Sequence, residues 1–244
     1  MMKYKMYYLK RNKVRMVNIA IIDSGINRNI ECLHKNVIKT IGIRQDNLGK
    51  IKYLDNIKVE NNHGTAIALC IKSIYENINF IDINILDENL STNGKVLIEA
   101  LNYVKNLDVN IDIVHLSLGT KKIKYIFKLK KAIKYFRKKH ILIIAAASNY
   151  GEKSYPSHLK YVIGVKGDSK IMDGGVYYKN NFFYAPTYLS QKILNTNPQY
   201  KNINGNSIAA AYVTGQVCKK INIYKKHKFI FNFQKDNEIL KGGK

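Results

Sequence analysis

The chain has 244 residues, 46% of them hydrophobic, and its 41 Lys and Arg against 17 Asp and Glu give a formal net charge of +24. This length suits one domain with a substantial core, and the longest apolar runs, such as 141–147, are far shorter than the roughly 18–20 residues that cross a bilayer. No transmembrane segment is expected. The charge predicts a field that attracts anionic partners, although the abundance of Lys, Asn and Ile fits a general compositional bias equally well.

The first sixteen residues are basic and contain no apolar stretch of about 7–15 residues followed by a small-residue cleavage site, so a secretory signal is not expected. The three cysteines, Cys32, Cys70 and Cys218, are widely spaced and form no CxxC pair. Reduced thiols of this kind fit a cytoplasmic protein. We therefore expect cytoplasmic localisation, a basic extension at 1–16 and a single domain at 17–244.

The first regular element predicted is a buried strand at 17–22, which is short, rich in β-branched residues and followed by the turn residues Asp23, Ser24 and Gly25. Three further apolar segments resemble it, at 80–86, 111–118 and 141–147. Helical patterns lie between them, at 63–75, 94–106 and 123–139. Alternation of this kind predicts an α/β fold with a mostly parallel central sheet and helices on both faces.

The third predicted helix is strongly basic, and its apolar residues Ile126, Leu129, Ile133 and Phe136 recur at helical spacing. Its lysines then face water, either as a solvated surface or as a surface that recognises anions. Between 164 and 206 the abundance of Gly, Asn, Pro and Tyr predicts turns and short antiparallel pieces. A last helix is expected from about Ser207, and the Lys-rich apolar segments 221–224 and 229–233 fit either a packed strand or an interaction surface.

Four short segments end a predicted strand or begin a helix, where active sites of open α/β sheets lie. They are IIDSG at 21–25, NHGT at 62–65, AAASN at 145–149 and GNSIA at 205–209, and they supply a carboxylate, an imidazole, an amide and a hydroxyl. A serine hydroxyl needs a neighbouring base to become a nucleophile, and the base needs a carboxylate to orient it. Asp23, His63 and Ser207 are therefore candidates for a catalytic triad.

These segments resemble the motifs of the subtilisin-like serine proteases, or subtilases, in which the triad runs Asp, His, Ser along the chain. IAIIDSGI, NNHGTAIA and NGNSIAAAYVTG resemble the family's aspartate, histidine and serine motifs, and AAASN its oxyanion-asparagine segment. The likeness spans about 17–215. It implies a three-layer subtilisin-like fold and a serine endopeptidase with Asp23, His63, Ser207 and, in its oxyanion hole, Asn149.

The resemblance also implies where an extended peptide or protein substrate binds. IVHLSLG resembles the family's substrate-binding strand, so the substrate would pair its backbone with two segments by β-augmentation. The residues are Ser117, Leu118, Gly119, Ala146, Ala147 and Ser148. No cofactor and no metal site are expected, because the calcium loop that many secreted members insert after the histidine helix is missing between 75 and 80.

Four departures from the family pattern bear on the site. Asn206 stands where threonine is usual, Ser148 replaces a glycine, and Ala211 and Tyr212 stand where proline and histidine often follow. None removes a catalytic group, but two adjoin the site. The alternative to a protease is therefore a non-catalytic peptide-binding relative with a poorly formed site.

Two further hypotheses concern partners. The narrower form of the protease hypothesis is a dedicated cytoplasmic enzyme that removes an acidic leader from a precursor peptide, motivated by small size, absence of an export signal and positive charge. A nucleic-acid-binding function is favoured by charge alone, because no helix-turn-helix, zinc or aromatic RNA-binding motif is present, and it is not expected. The sequence leaves the oligomeric state open.

Overall fold

The computed structural model describes residues 15–172 and 174–221, together with Gln234. Its centre is a nine-stranded sheet in the order β3-β2-β4-β1-β5-β6-β7-β9-β8. The strands are β1 Val17–Asp23, β2 Val37–Gln45, β3 Ile51–Leu54, β4 Ile78–Asn84, β5 Ile113–Leu116, β6 Leu142–Ala146, β7 Ile163–Gly167, β8 Tyr177–Lys179 and β9 Phe182–Ala185. Among these nine strands the outermost pairs, β2 with β3 and β8 with β9, are antiparallel and the other pairs are parallel.

Six α-helices with described bounds surround the sheet: α1 Glu31–His34, α2 His63–Ile74, α3 Gly94–Lys105, α4 Ile126–Lys138, α5 Gln191–Thr196 and α6 Asn206–Lys220. Helices α2 and α6 share one hydrophobic cluster with Ile19 and Ile21 of β1. Helices α3 and α4 share the other cluster with Ala20 and Ile22. Since successive strand residues point to opposite faces, β1 is covered on both sides, and the predicted three-layer α/β fold is confirmed.

The four strands expected from apolar runs all form, and each is buried on both faces of the sheet, with its few polar residues buried or half-buried as well. β1 pairs in parallel with β4 and β5, and β5 pairs in parallel with β6. Their carboxyl ends therefore lie along one edge. The apolar face predicted for the basic helix, α4, also forms, since Leu129, Ile133 and Phe136 are buried while Lys128 and Lys131 are exposed.

Two parts of the fold differ from the expectation. Strands β2 and β3 were not predicted. The segment 164–206 is less antiparallel than expected, because β7 pairs in parallel with both β6 and β9. Its antiparallel pieces, among the described residues, are the β8–β9 hairpin and an isolated bridge between Tyr188 and Asn204. This segment continues the parallel sheet beyond β6, because Val165 and Phe183 are buried in the same cluster as α6.

Three remaining points concern the cysteines, helices that could span a membrane and the residues outside the described ranges. Cys70 and Cys218 are buried, Cys32 is exposed, and none is in a disulfide. Within the described ranges no helix is long and apolar enough to cross a bilayer. The basic extension up to residue 14, and the segments 222–224 and 229–233, lie outside the described residues.

Candidate active site

Three polar side chains meet at the carboxyl edge of the sheet, where one strand ends and two helices begin. Asp23 is the last residue of β1, His63 the first of α2 and Ser207 the second of α6. The helices α2 and α6 pack in one hydrophobic cluster, which brings their first turns to the same place. Asp23 is 0% exposed, His63 9% and Ser207 8%.

The carboxylate and the imidazole form a buried pair. His63 Nδ1 lies 2.8 Å from Asp23 Oδ1, which also accepts a 2.7 Å hydrogen bond from Ser24 N. Gly64 permits this approach, since a Cβ there would lie 2.6 Å from the carbonyl oxygen of Gly25. The sequence HG is therefore required by the packing of α2 against the turn after β1.

Each partner of this pair shifts the pKa of the other. Burial alone would raise the pKa of Asp23, but the charge and hydrogen bond of His63, with the nearby Ser117 hydroxyl and the hydrogen bond from Ser24 N, hold it below its usual value. Burial alone would lower the pKa of His63, but the charge and hydrogen bond of Asp23 outweigh it and raise the pKa. The pair thus favours a proton on His63 and a charge on Asp23.

Ser207 lies at the start of α6, where the helix dipole favours negative charge. Its hydroxyl donates to the carbonyl oxygen of Ser117 at 3.2 Å. Because a hydroxyl carries one proton, that proton must turn away from Ser117 O, by rotation about the Cβ–Oγ bond, before it can pass to His63 Nε2. Catalytic hydrogen bonds of this kind often align only once a substrate is bound.

A hydrogen bond to its side-chain oxygen positions Asn149. Asn149 Oδ1 accepts a 2.9 Å hydrogen bond from the backbone N–H of Asn206, so the amide NH₂ is the end left to donate. Gly205, at φ +108°, passes so close that a Cβ would lie 3.0 Å from Asn149 Oδ1. The glycine therefore allows the turn before α6 to lie against this asparagine.

A small groove of about 170 Å³ lies beside these groups. All six residues predicted to bind substrate line it, as do Asn149 and Ser207. Two further lining residues, Lys121 and Ser154, were not predicted. Ser154 supports the groove because its hydroxyl accepts a 3.0 Å hydrogen bond from Ser148 N.

The structure also places His115 beneath the site, a residue that was not among the predicted site residues. It is fully buried on β5 and contacts the hydroxyl of Ser117. It lies within IVHLSLG, the segment that resembles the family's substrate-binding strand, and its position two residues before Ser117 is the signal in the sequence that could have drawn attention to it. Among the described residues, no group of three or more His, Cys, Asp or Glu is arranged to hold a metal ion.

Known proteins resemble this chain over most of its length. The model of the subtilase family, a group of peptidases, matches residues 15–228. The chain belongs to the subtilase family. It is therefore a serine endopeptidase by family, a hydrolase that acts on peptide bonds.

This subtilase is 27% identical to the major intracellular serine protease of Bacillus subtilis (strain 168) over 241 residues, which cover 91% of this chain and 73% of that protein. A cold-adapted subtilisin-like serine proteinase has a similar structure, with a TM-score of 0.68, 17% identity and coverage of 91% and 82% of the two chains. A lanthipeptide protease is also similar, with a TM-score of 0.65, 19% identity and coverage of 93% and 81%.

The unusual Asn206 of this subtilase connects three segments of the site. Its side-chain amide donates to the carbonyl oxygens of Ala147 and Ser148, at 3.1 and 3.0 Å, and its Oδ1 accepts from Gly167 N at 2.6 Å. A threonine could not make all three bonds, because its hydroxyl has one proton. Asn206 therefore holds the groove segment 147–148 against the end of β7.

Proposed function

We propose that this subtilase cleaves peptide bonds with Ser207 as nucleophile, His63 as general base and acid, and Asp23 as the group that orients His63. The Ser207 oxygen attacks the peptide carbonyl carbon while its proton passes to His63. His63 then gives that proton to the leaving amine, and water hydrolyses the acyl-enzyme. The observation that carries this proposal is the buried 2.8 Å contact between His63 and Asp23, with Ser207 at the start of the adjoining helix.

The tetrahedral intermediate needs donors for its oxyanion. The candidates are the side-chain amide of Asn149 and the backbone N–H of Ser207 at the first turn of α6. Donors fixed in advance cost no reorganisation during the reaction, which is why such groups contribute strongly to catalysis. The bond from Asn206 N to Asn149 Oδ1 supports this assignment, because it leaves the amide NH₂ to donate.

The substrate would lie in extended form between the segments 117–119 and 146–148. These segments line the two sides of the groove. Gly119 sits against the carbonyl oxygen of Tyr155, where a Cβ would lie 2.7 Å away, so a side chain at this position would displace the loop that carries Ser154. A bound peptide would therefore meet a narrow groove with backbone donors and acceptors on both sides.

A direct test uses purified protein and a panel of fluorogenic peptides. Wild-type protein is expected to cleave members of the panel, whereas Ser207→Ala is expected to lose about 10⁶-fold in kcat. The matched control is Ser73→Ala, which removes a hydroxyl that bonds only within α2, to Cys70 O. Cleavage that survives in Ser207→Ala would overturn the assignment of the nucleophile.

We further propose that the enzyme works in the cytoplasm on a precursor with an acidic leader. Three observations support this narrower proposal: the net charge of +24, the intracellular relative and the similar structure of a lanthipeptide protease. A fourth is a cavity of about 890 Å³ bordered by Arg137, Lys153 and Lys160, in which no described lining residue is Asp or Glu. The segment 153–162 runs along this cavity and also carries Ser154 of the groove.

Two synthetic precursors with the same cleavage segment test the narrower proposal, one with Glu residues in its leader and the other with Gln at those positions. We expect at least a tenfold higher kcat/KM for the Glu form, and a loss of this preference in Lys153→Gln/Lys160→Gln. The control pair Lys35→Gln/Lys58→Gln removes the same charge at exposed sites outside the cavity lining. Equal rates on both precursors, or broad degradation of unrelated proteins, would reject the acidic leader.

One observation favours a non-catalytic peptide binder instead, namely the Ser207 hydroxyl that donates to Ser117 O rather than to His63. A binder of this kind would hold peptides in the groove without cleaving them. Reaction of Ser207 with a fluorophosphonate separates the two functions, because covalent modification requires an activated hydroxyl.

A further inference from the structure

A chain of buried polar groups leads from the middle of α6 to the catalytic centre. His115 Nδ1 lies 2.8 Å from the hydroxyl oxygen of Thr214, and His115 Nε2 lies 3.1 Å from that of Ser117. Both His115 and Thr214 are fully buried. The same Ser117 supplies the carbonyl oxygen that holds the Ser207 hydroxyl.

The direction of the protons along this chain follows from counting donors. The Thr214 hydroxyl donates to the carbonyl oxygen of Ala210 at 2.8 Å, so its oxygen can only accept from His115. The proton of a neutral His115 therefore lies on Nδ1. Its Nε2 is then an acceptor, and the hydroxyl of Ser117 is the donor.

His115 is expected to be neutral under ordinary conditions. Burial is the main cause that lowers its pKa to about 4, and the ionisable groups whose charges reach it are Asp23, which opposes the shift, and His63, which adds to it. A neutral ring with a fixed tautomer can therefore always accept a hydrogen bond from the Ser117 hydroxyl.

Asp23 competes with His115 for the one hydrogen bond that the Ser117 hydroxyl can donate. Ser117 lies close enough to Asp23 to help lower the pKa of the carboxyl, yet Asp23 Oδ2 is buried and accepts no hydrogen bond within the described part of the chain. One hydroxyl proton cannot serve both acceptors. The tautomer of His115 therefore decides whether Asp23 shares its charge with Ser117.

We propose that His115 is a positioning residue for the triad. Its neutral ring, protonated on Nδ1, accepts a hydrogen bond from the Ser117 hydroxyl at Nε2 and so keeps that hydroxyl from donating to Asp23. The carboxylate charge then acts on His63 without a competing donor. The inference rests on the proposed function of the triad, but it concerns the basicity of His63, which can be measured whether or not the protein cleaves peptides.

The test is an NMR titration of the His63 ring in wild-type protein, His115→Phe and Thr214→Val. The first variant removes the acceptor and the second removes the group that holds the proton on Nδ1, so each releases Ser117 to Asp23. We expect the titration midpoint of His63 to fall by roughly 0.5–1 pH unit in both, because a hydrogen bond to a charged group is worth about one pKa unit or more. Adding Ser117→Ala to either variant removes the donor and is expected to restore the wild-type midpoint.

The control is Thr196→Val, which removes an exposed hydroxyl whose hydrogen bonds are local, donated to Ile193 O and accepted from Asn197 Nδ2. A purely structural role for His115 would lower thermal stability without moving the His63 midpoint, and that result in folded variants would overturn the inference. If His115→Phe fails to fold, Thr214→Val decides the question alone. If wild-type protein cleaves no peptide while the midpoint shifts as expected, the proposed function fails and the positioning role stands.

Discussion

His63 Nδ1 lies 2.8 Å from Oδ1 of Asp23, and this contact joins the end of the first strand to the start of the second helix. Both groups are buried, so their interaction is little screened by water. The contact leaves His63 Nε2 as the nitrogen available to Ser207, which is the tautomer that a general base requires.

Replacement of Asp23 by Asn is expected to lower kcat on the order of 10⁴-fold, because the imidazolium that forms during the reaction loses its counter-charge. His63 must be neutral to accept a proton, so activity falls as pH drops through its raised pKa. Without the Asp23 charge that pKa falls, and the acidic limb of kcat/KM should move to lower pH. Asp108→Asn, at an exposed site, is the control; an unchanged limb in Asp23→Asn would contradict the pairing.

Replacement of Asn149 by Ala removes one proposed oxyanion donor. We expect kcat to fall about 10²–10³-fold with little change in KM, since the bond is made to the intermediate rather than to the bound peptide. Steady-state kinetics on one fluorogenic peptide measure both constants. A rise in KM with unchanged kcat would show that Asn149 binds substrate in its ground state instead.

Asn206 should act differently, because its side chain holds the groove rather than the reacting atoms. Asn206→Ala loses three hydrogen bonds, each worth about 0.5–1.5 kcal/mol, so both a lower Tm and a higher KM are expected. Asn204→Ala is the neighbouring exposed control. If KM stays constant while Tm drops, the segment 147–148 does not depend on Asn206 for its position.

The buried carboxyl of Asp82 is expected to make the stability of the protein depend on pH. Burial is the main cause that raises its pKa to about 7, and the negative charge of Asp23 adds to it, against the hydrogen bond from Ile26 N, the nearby Thr40 hydroxyl and the charge of Arg28. The unfolded chain releases this proton near pH 4, so between about pH 4 and 7 the native state binds more protons. This group therefore makes the protein less stable as pH rises through that range.

In Asp82→Asn the side-chain oxygen can still accept the hydrogen bond from Ile26 N, but the amide cannot ionise. The variant is expected to have a higher Tm than wild-type protein above about pH 7, by about 2–4 °C for each kcal/mol gained. The gap should shrink as pH falls towards 4. Thermal melts across this range measure it, with the exposed Asp55→Asn as control. A gap that does not change with pH would mean that Asp82 is not the titrating group.

The sequence predicts the centre of the fold well and its margins poorly. β1 and α2 are predicted to within one residue, because a mostly apolar, β-branched strand and a glycine-containing turn both constrain the backbone locally. β3 is mostly exposed and exists through its pairing with β2, so it carries little hydrophobic pattern. β9 is short, and its parallel pairing with β7 depends on packing against α6.

The same division applies to the site. The motifs locate Asp23, His63 and Ser207 because each lies at the junction of a strand or helix with a turn. The hydrogen bond of His115 to Thr214 spans 99 positions in the sequence and follows from the packing of β5 against α6. No local pattern could have predicted it.

The most direct test of the central claim is intact-mass and peptide-mapping spectrometry after treatment with a fluorophosphonate. We expect one adduct per wild-type molecule, located on Ser207, a strong reduction of labelling in His63→Ala and none in Ser207→Ala. An unlabelled Ser207 in folded wild-type protein, or an adduct on another serine with equal speed, would contradict the account of this site.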